Sequence, residues 1–330
     1  MFGLRTSGIG KLQQVAVFAI LMQLTSVSAS SQAHPPSATE PGRYTISVDV
    51  GLVVLPVIVT DRAGKVVPGL GEGSFQVFED GRPQHITLFQ TEDVPIAAGL
   101  VIDNSGSMRA KRTEVLAAAE EFARSSNSQD QMFVVTFNQT ISLGLPHGVP
   151  FTSNVQDLLA AVSRTPAYGK TALYDGLAAA LQHLSKGTRT RRALVLISDG
   201  GDNASRLSFR QLLRQAETSN AEIYTVGVFD PNFEGEDSSG LRKLAKVTGG
   251  QAYFPESVSE IPGICRQIAL NLRQQYTIGY HPVDSNMEGK YHAIRVTAKA
   301  AGIGKLHVST RAGYLAPRRA APATPSEASL

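Results

Sequence analysis

Apolar and polar positions along this chain fall into three successive rhythms. The first begins at Tyr44, where Tyr44, Ile46, Val48 and Val50 alternate with Thr45, Ser47 and Asp49. Period two over such a stretch predicts a half-buried strand. Residues 52–59 are then almost continuously apolar, but Pro56 interrupts them. Proline cannot donate to a ladder, so the run predicts an edge strand or a bulge. A turn is expected over residues 61–65, which include Gly64. Phe75 and Val77 lie before Asp80-Gly81, and the short apolar run 86–89 lies after it. An Asp-Gly pair between strand-like runs predicts a hairpin, here pairing the stretch around 75–77 with 86–89. Residues 44–93 therefore read as β-rich.

From Pro95 strand-like and helix-like segments alternate. Residues 96–102 form an apolar strand pattern. Residues 111–125 carry Val115, Ala118, Ala119 and Phe122 at helical spacing. Strand patterns follow at 132–137 and 141–145, and helix patterns at 155–163 and 172–184. The unbroken Ala-Leu-Val-Leu-Ile run at 193–197 suits a strand buried on both faces. A helix at 208–219, a strand at 222–229, a helix at 241–247 and a short strand at 252–254 come next. The fourth of these segments follows Gly249-Gly250, a helix-ending signal. An amphipathic helix is expected at 261–274. This alternation predicts an α/β fold, Rossmann-like, with a mainly parallel sheet covered by helices on both faces. After Tyr276 the third rhythm returns to strands, at 277–280, 291–299 and 305–311. Within the second of these, Ile294, Val296 and Ala298 share a face opposite Arg295, Thr297 and Lys299. The N- and C-terminal flanks have too few strands to stand alone, so together they predict one β-sandwich-like module.

Composition agrees with a globular chain: 330 residues, 42% hydrophobic and 18% charged, with a net charge of +3. That charge, without a basic face or a recognition motif, points away from nucleic acid. Arg189, Arg191 and Arg192 form the tightest basic cluster and read as a solvated loop before a strand. Residues 1–29 read as a cleaved export signal. Arg5 and Lys11 precede the apolar run 15–24, and Val27-Ser28-Ala29 offers a cleavage site. The run is too short to span a bilayer, so no membrane span is expected after cleavage. The mature chain is expected to be secreted or extracytoplasmic, in a periplasm or cell envelope. Residues 30–43 suit a linker, and the proline- and alanine-rich residues 317–330 a disordered tail. Cys265 is the only cysteine, which excludes an intrachain disulfide and reads as a small buried hydrophobe.

The candidate chemistry is concentrated in Asp103-Asn104-Ser105-Gly106-Ser107. An apolar strand ends there and a helix follows, and α/β sheets place ligands at the carboxyl ends of their strands. Thr171, opening one later helix, and Asp199, following the strand at 193–197, supply further oxygens at two more such connections. Carboxylates and hydroxyls are hard ligands that suit Mg²⁺ or Ca²⁺ rather than zinc or copper. Serine capping of the next helix would need only one of these residues, not three with two distant partners.

This combination resembles the metal-ion-dependent adhesion site (MIDAS) of von Willebrand factor type A (VWA) domains. Asp103, Ser105 and Ser107 match the family's Asp-x-Ser-x-Ser element, Thr171 its threonine and Asp199 its second aspartate. The resemblance spans about residues 94–275, with the flanks 44–93 and 276–316 similar to a bacterial secreted subset. Residues 75–81 and 276–280 are the recurring elements there. The resemblance implies one bound divalent cation, Mg²⁺ first and Mn²⁺ or Ca²⁺ as alternatives. It also implies a protein partner that offers an Asp or Glu carboxylate to that cation.

Other candidates read as structural. Asp175 reads as a carboxylate behind the site or facing solvent, Asp202 and Asn203 as turn residues, with shaping the rim or binding a second cation as the alternatives, and Glu234, Glu236 and Asp237 as a solvated loop. The seven histidines have no zinc-ligand spacing. Neither a G-x-S-x-G elbow nor a Walker-type loop is present, so an adhesion-type binding module, not an enzyme, is expected. A structural envelope or secreted-assembly protein with a stabilising metal is the alternative, and a metal-assisted hydrolase a weaker one.

Overall fold

The computed structural model describes residues 51–229, 238–283 and 289–316. The expected strand at 44–50, the export signal, the linker, the acidic loop and the C-terminal tail lie outside these residues. The flanking strands come first: β1 (Val53–Thr60), β2 (Phe75–Glu79), β3 (Arg82–Gln84) and β4 (Ile86–Gln90). The α/β part follows with β5 (Ala97–Asp103), α1 (Arg112–Ser125), β6 (Gln131–Phe137) and β7 (Ile141–Leu143). It continues through α2 (Val155–Ser163), α3 (Leu173–Leu184), β8 (Arg192–Ser198), α4 (Phe209–Thr218) and β9 (Glu222–Gly227). It closes with α5 (Ser238–Thr248), β10 (Ala252–Tyr253) and α6 (Ile261–Arg273). The chain then returns to strands: β11 (Tyr276–Tyr280), β12 (Tyr291–Ala298), β13 (His307–Ser309) and β14 (Gly313–Leu315).

The central sheet has the order β10-β9-β8-β5-β6-β7. All its pairings are parallel except β6 with β7. Every residue of β5 is buried, as a strand covered on both faces requires. Gly99 in this strand is dictated by space. A Cβ there would lie 2.3 Å from Cζ of Phe133 on β6 and 2.6 Å from Cδ2 of Leu194 on β8. The glycine pair after α5 acts as expected: Gly249 adopts a φ of 88° and ends the helix.

The flanks form two further antiparallel sheets, β13-β1-β11-β4 and β14-β12-β2-β3. The alternation along β1 is clean: Val53, Leu55, Val57 and Val59 enter the core that the two sheets share with Val77, Ile278 and Val296. Ile58, on the opposite face of β1, joins the core of the α/β part instead. Pro56 is accommodated without a bulge. The Thr310 hydroxyl donates to its carbonyl (2.8 Å), so the proline nitrogen faces the same side, where β13 has already ended at Ile58↔Ser309.

Two expectations are corrected. The Asp80-Gly81 turn pairs β2 with β3, not with residues 86–89. Both turn residues have positive φ, 49° and 81°, which returns the chain at once and sets Arg82 opposite Glu79. The apolar run after His85 becomes β4, which crosses to the other sheet and pairs with β11. The basic cluster is not a solvated loop either. Arg191 is only 7% exposed, and its guanidinium donates to the carbonyl of Leu272 (2.7 Å) at the end of α6.

Candidate metal centre

Asp103 is the last residue of the central strand, in register with Phe137 on β6 and beside Ser198 at the end of β8. The carboxylate is held from two directions. The Ser105 amide donates to Oδ1 (2.8 Å) and the Ser198 hydroxyl donates to Oδ2 (2.6 Å). Asn104 anchors the turn that follows. Its amide donates to the Phe137 carbonyl (2.6 Å), and its side chain donates to Thr165 (3.0 Å) while accepting from Arg112 (3.3 Å). Ser105 stands at the N-terminus of a short 3₁₀ turn, yet its side chain makes no capping bond. Its Oγ lies 3.0 Å from the Oγ of Ser107. The capping alternative is therefore not what Ser105 does.

The second connection is tied to the first by backbone. The Gly106 amide donates to Gly169 (3.1 Å), and the Tyr168 amide donates to Asn104 (2.9 Å). Thr171 is buried at the end of this segment. The third connection is tied to the second through Asn203, which both accepts from the Thr171 amide (2.9 Å) and donates its own amide to the Thr171 carbonyl (2.9 Å). Asn203 is thus a clamp between loops. Asp175 has a similar task, since its carboxylate accepts the amides of Arg206 (2.9 Å) and Leu207 (3.0 Å). Asp202 accepts from the Ser205 hydroxyl (2.6 Å). The structure thereby brings the segments bearing Asp103, Ser105, Ser107, Thr171 and Asp199 together at one end of the sheet.

Electrostatics suit a cation at this place. Asp103 is 1% exposed and Asp199 7%. Burial pushes the Asp103 carboxyl up to about 6; the Ser198 and Ser105 hydrogen bonds oppose that rise, and the negative charge of Asp199 adds to it. Among the described residues no lysine, arginine or histidine forms an ion pair with either carboxylate. Two adjoining buried carboxylates with hydroxyls but no basic partner form a donor set of hard oxygens, which fits Mg²⁺ or a similar ion.

Sequence reading places Asn203 at the rim but misses the clamping roles of Asn203, Asn104 and Ser198. Their only local signal is position, Asn104 inside the serine motif and Ser198 before Asp199 at a strand end. One further group of ligand-type atoms lies among the described residues, in the flanking sheets. There His292 Nδ1 is 2.9 Å from Asp80 and 3.4 Å from Glu79. Glu79 also accepts from the hydroxyls of Tyr280 (2.5 Å) and Tyr314 (3.2 Å). These groups satisfy one another, as a packed histidine network does.

No curated protein matches this chain. Among solved structures, a von Willebrand factor type A protein from Catenulispora acidiphila is 14% identical, covering 82% of this chain and 74% of its own, with a TM-score of 0.48. Proximal thread matrix protein 1 from the mussel byssus is 16% identical, with a TM-score of 0.44. This chain covers 48% of that protein's length and the match takes in 54% of this chain. BatB from Bacteroides thetaiotaomicron is 15% identical over 53% of this chain and 98% of that one, with a TM-score of 0.43. The family model for the von Willebrand factor type A domain matches residues 99–267, from the middle of β5 into α6. That match takes in more than half of the sequence and the whole of the loop end just described, and the chain belongs to the von Willebrand factor type A domain family.

Proposed function

We propose that this protein is a secreted, divalent-cation-dependent binding module that captures a partner through an Asp or Glu side chain. The observation that carries the reading is the pair of buried carboxylates, Asp103 and Asp199, set without a basic partner among the described residues beside the Ser105–Ser107 hydroxyl pair. Ser105, Ser107 and Thr171 would offer hydroxyls and Asp103 and Asp199 carboxylates to one Mg²⁺-like ion. When bound, such an ion supplies a Lewis-acidic position that a partner's carboxylate can complete. The chain's own contribution is to fix the donors. Ser198 orients Asp103, Asn104 pins the serine loop, and Asn203 pins Thr171.

Binding is preferred to catalysis on geometric grounds. Activating a serine nucleophile requires a general base within hydrogen-bonding reach. Ser105 and Ser107 bond to each other, the one acid beside Ser105 is the expected ligand Asp103, and among the described residues no histidine or lysine bonds to either hydroxyl. The export signal read in residues 1–29 supports a partner outside the cytoplasm. No helix among the described residues is long and apolar enough to cross a membrane.

Capture from cell-surface extracts of the native host, with and without chelator, tests this reading. Partners should be retained with Mg²⁺ and lost in chelator. Equal capture in both conditions would refute it. Turnover of generic esterase, phosphatase or peptidase substrates that disappears in a Ser105→Ala, Ser107→Ala double variant would replace binding with catalysis.

A further inference from the structure

The basic cluster that the cation site does not use lies at the other end of the sheet. The strands β8 and β9 run parallel, so Arg191, Arg192 and Glu222 mark their starting edge, opposite the edge that ends at Ser198 and Gly227. There a cavity of about 490 Å³ opens between the α/β part and the outer face of the β1–β11–β4 sheet. That volume is within the range of sites for small organic ligands. Its walls are mostly apolar and include Leu52, Val54, Leu88 and Val247. Leu52, just before β1, and Val54 on it are large hydrophobic side chains about two-fifths exposed that meet in the wall of this one cavity.

Three guanidinium groups line the same cavity: Arg191, Arg192 and Arg311. Each has buried nitrogen with no hydrogen-bond acceptor among the described residues. These are Nε and a terminal nitrogen of Arg191, Nε of Arg192 and Nε of Arg311. Arg191 is more than nine-tenths buried, and leaving such donors unsatisfied is costly. Those nitrogens are themselves closed to solvent, so a ligand would meet the guanidinium groups at the remaining terminal nitrogens of Arg192 and Arg311, which have no hydrogen bond among the described residues. Arg191 spends its other terminal nitrogen on Leu272 and Gln275, and Arg311 bonds to Asn220 and lies over the Tyr314 ring. The nearby carboxylate of Glu222 is engaged by Tyr224 (2.9 Å) and Gln275 (2.7 Å). With Glu217 as the other lining acid, the cavity carries three guanidinium and two carboxyl groups, and burial disfavours the ionised form of Glu222. An excess of positive charge inside apolar walls matches an anion with a hydrocarbon body.

We infer that this cavity is a binding site for an aliphatic carboxylate of the fatty-acid class, its carboxylate held by Arg192 and Arg311 and its chain along Leu52, Val54, Leu88 and Val247. Arginine recognises a carboxylate through paired charge-assisted hydrogen bonds, which a neutral head group cannot replace. The site is separate from the cation site and needs no metal.

Titration with dodecanoate and with 1-dodecanol, by calorimetry and native mass spectrometry in excess chelator, tests the assignment. Dodecanoate should bind one per chain, and the alcohol roughly tenfold more weakly or worse, the worth of a charge-assisted bond. Arg192→Gln, at a half-buried position, should erase the preference for the acid. Val54→Trp, at an exposed strand position that tolerates an aromatic, should abolish binding of both by filling the mouth. Circular dichroism and melting temperature establish that each variant is folded. Equal affinity for acid and alcohol, absence of saturable binding, or full binding by folded Val54→Trp would each overturn the inference.

Discussion

The Ser198 hydroxyl reaches across from β8 to donate a 2.6 Å hydrogen bond to Oδ2 of Asp103, the last residue of β5. Two adjacent parallel strands thus cooperate at their ends to aim one carboxylate. Ser198→Ala removes that bond with almost no change in volume. Mg²⁺ affinity measured by calorimetry should fall by roughly tenfold, the worth of one hydrogen bond to a charged group, with the fold retained. Unchanged affinity would mean that Ser198 does not position Asp103 for a cation.

The ligand assignment itself is tested by the double variant Ser105→Ala, Ser107→Ala. Both hydroxyls leave, but neither caps a helix, so the cation-free melting temperature should stay close to wild type. Titration with Mg²⁺, Mn²⁺ and Ca²⁺ should show binding by wild type and little by the variant. Wild type should also gain thermal stability as cation is added, growing with the logarithm of its concentration. Equal cation affinity in the two proteins would sink the assignment.

Asp103→Asn separates charge from shape. Burial and the neighbouring Asp199 disfavour the ionised carboxylate, so the amide should relieve that cost in cation-free protein. The variant should melt about 2 °C or more above cation-free wild type at neutral pH, the shift that ~1 kcal/mol produces in a domain of this size. Added Mg²⁺ should then stabilise wild type and leave the variant unchanged. A lower melting temperature without cation would show that Asp103 serves the fold first.

Gly99→Ala should destabilise the protein. An added methyl there meets Phe133 and Leu194, and the Phe133 ring is itself boxed by Phe151 and His183 at centroid distances of 5.6 and 4.6 Å. Overpacking costs about 1–3 kcal/mol, against roughly 0.4–1 kcal/mol gained by restricting the unfolded chain. Steric cost wins, and urea unfolding should show a lower midpoint. An equal or higher midpoint would mean the ring can give way.

The Cys265 thiol is pushed up to about 12 by complete burial. A raised value disfavours the reactive thiolate, so at pH 8 native protein should resist iodoacetamide while urea-unfolded protein is alkylated readily. Rapid labelling of the native protein would place the α6 core in frequent exchange with open states.

Much of this protein is legible in local pattern. The alternating segments from Pro95 to Gln274 show their class because helix and strand periodicities are set within a few residues of chain. The Asp103-x-Ser105-x-Ser107 element is visible for the same reason, since one short turn carries it. Partnership across space is another matter. Asp80-Gly81 announces a tight turn, but whether 82–84 or 86–89 completes the hairpin depends on which sheet has room for β4. Arg191 reads as a surface cation until α6 ends beside it and supplies the Leu272 carbonyl. Ser198, Asn104 and Asn203 look like ordinary polar residues until the parallel strands align their ends. Periodicity by itself determines which face of each element is apolar. Which polar side chain meets which, over separations such as that between Asp103 and Ser198, is decided only when packing brings distant strands into register and burial leaves each polar atom few available partners.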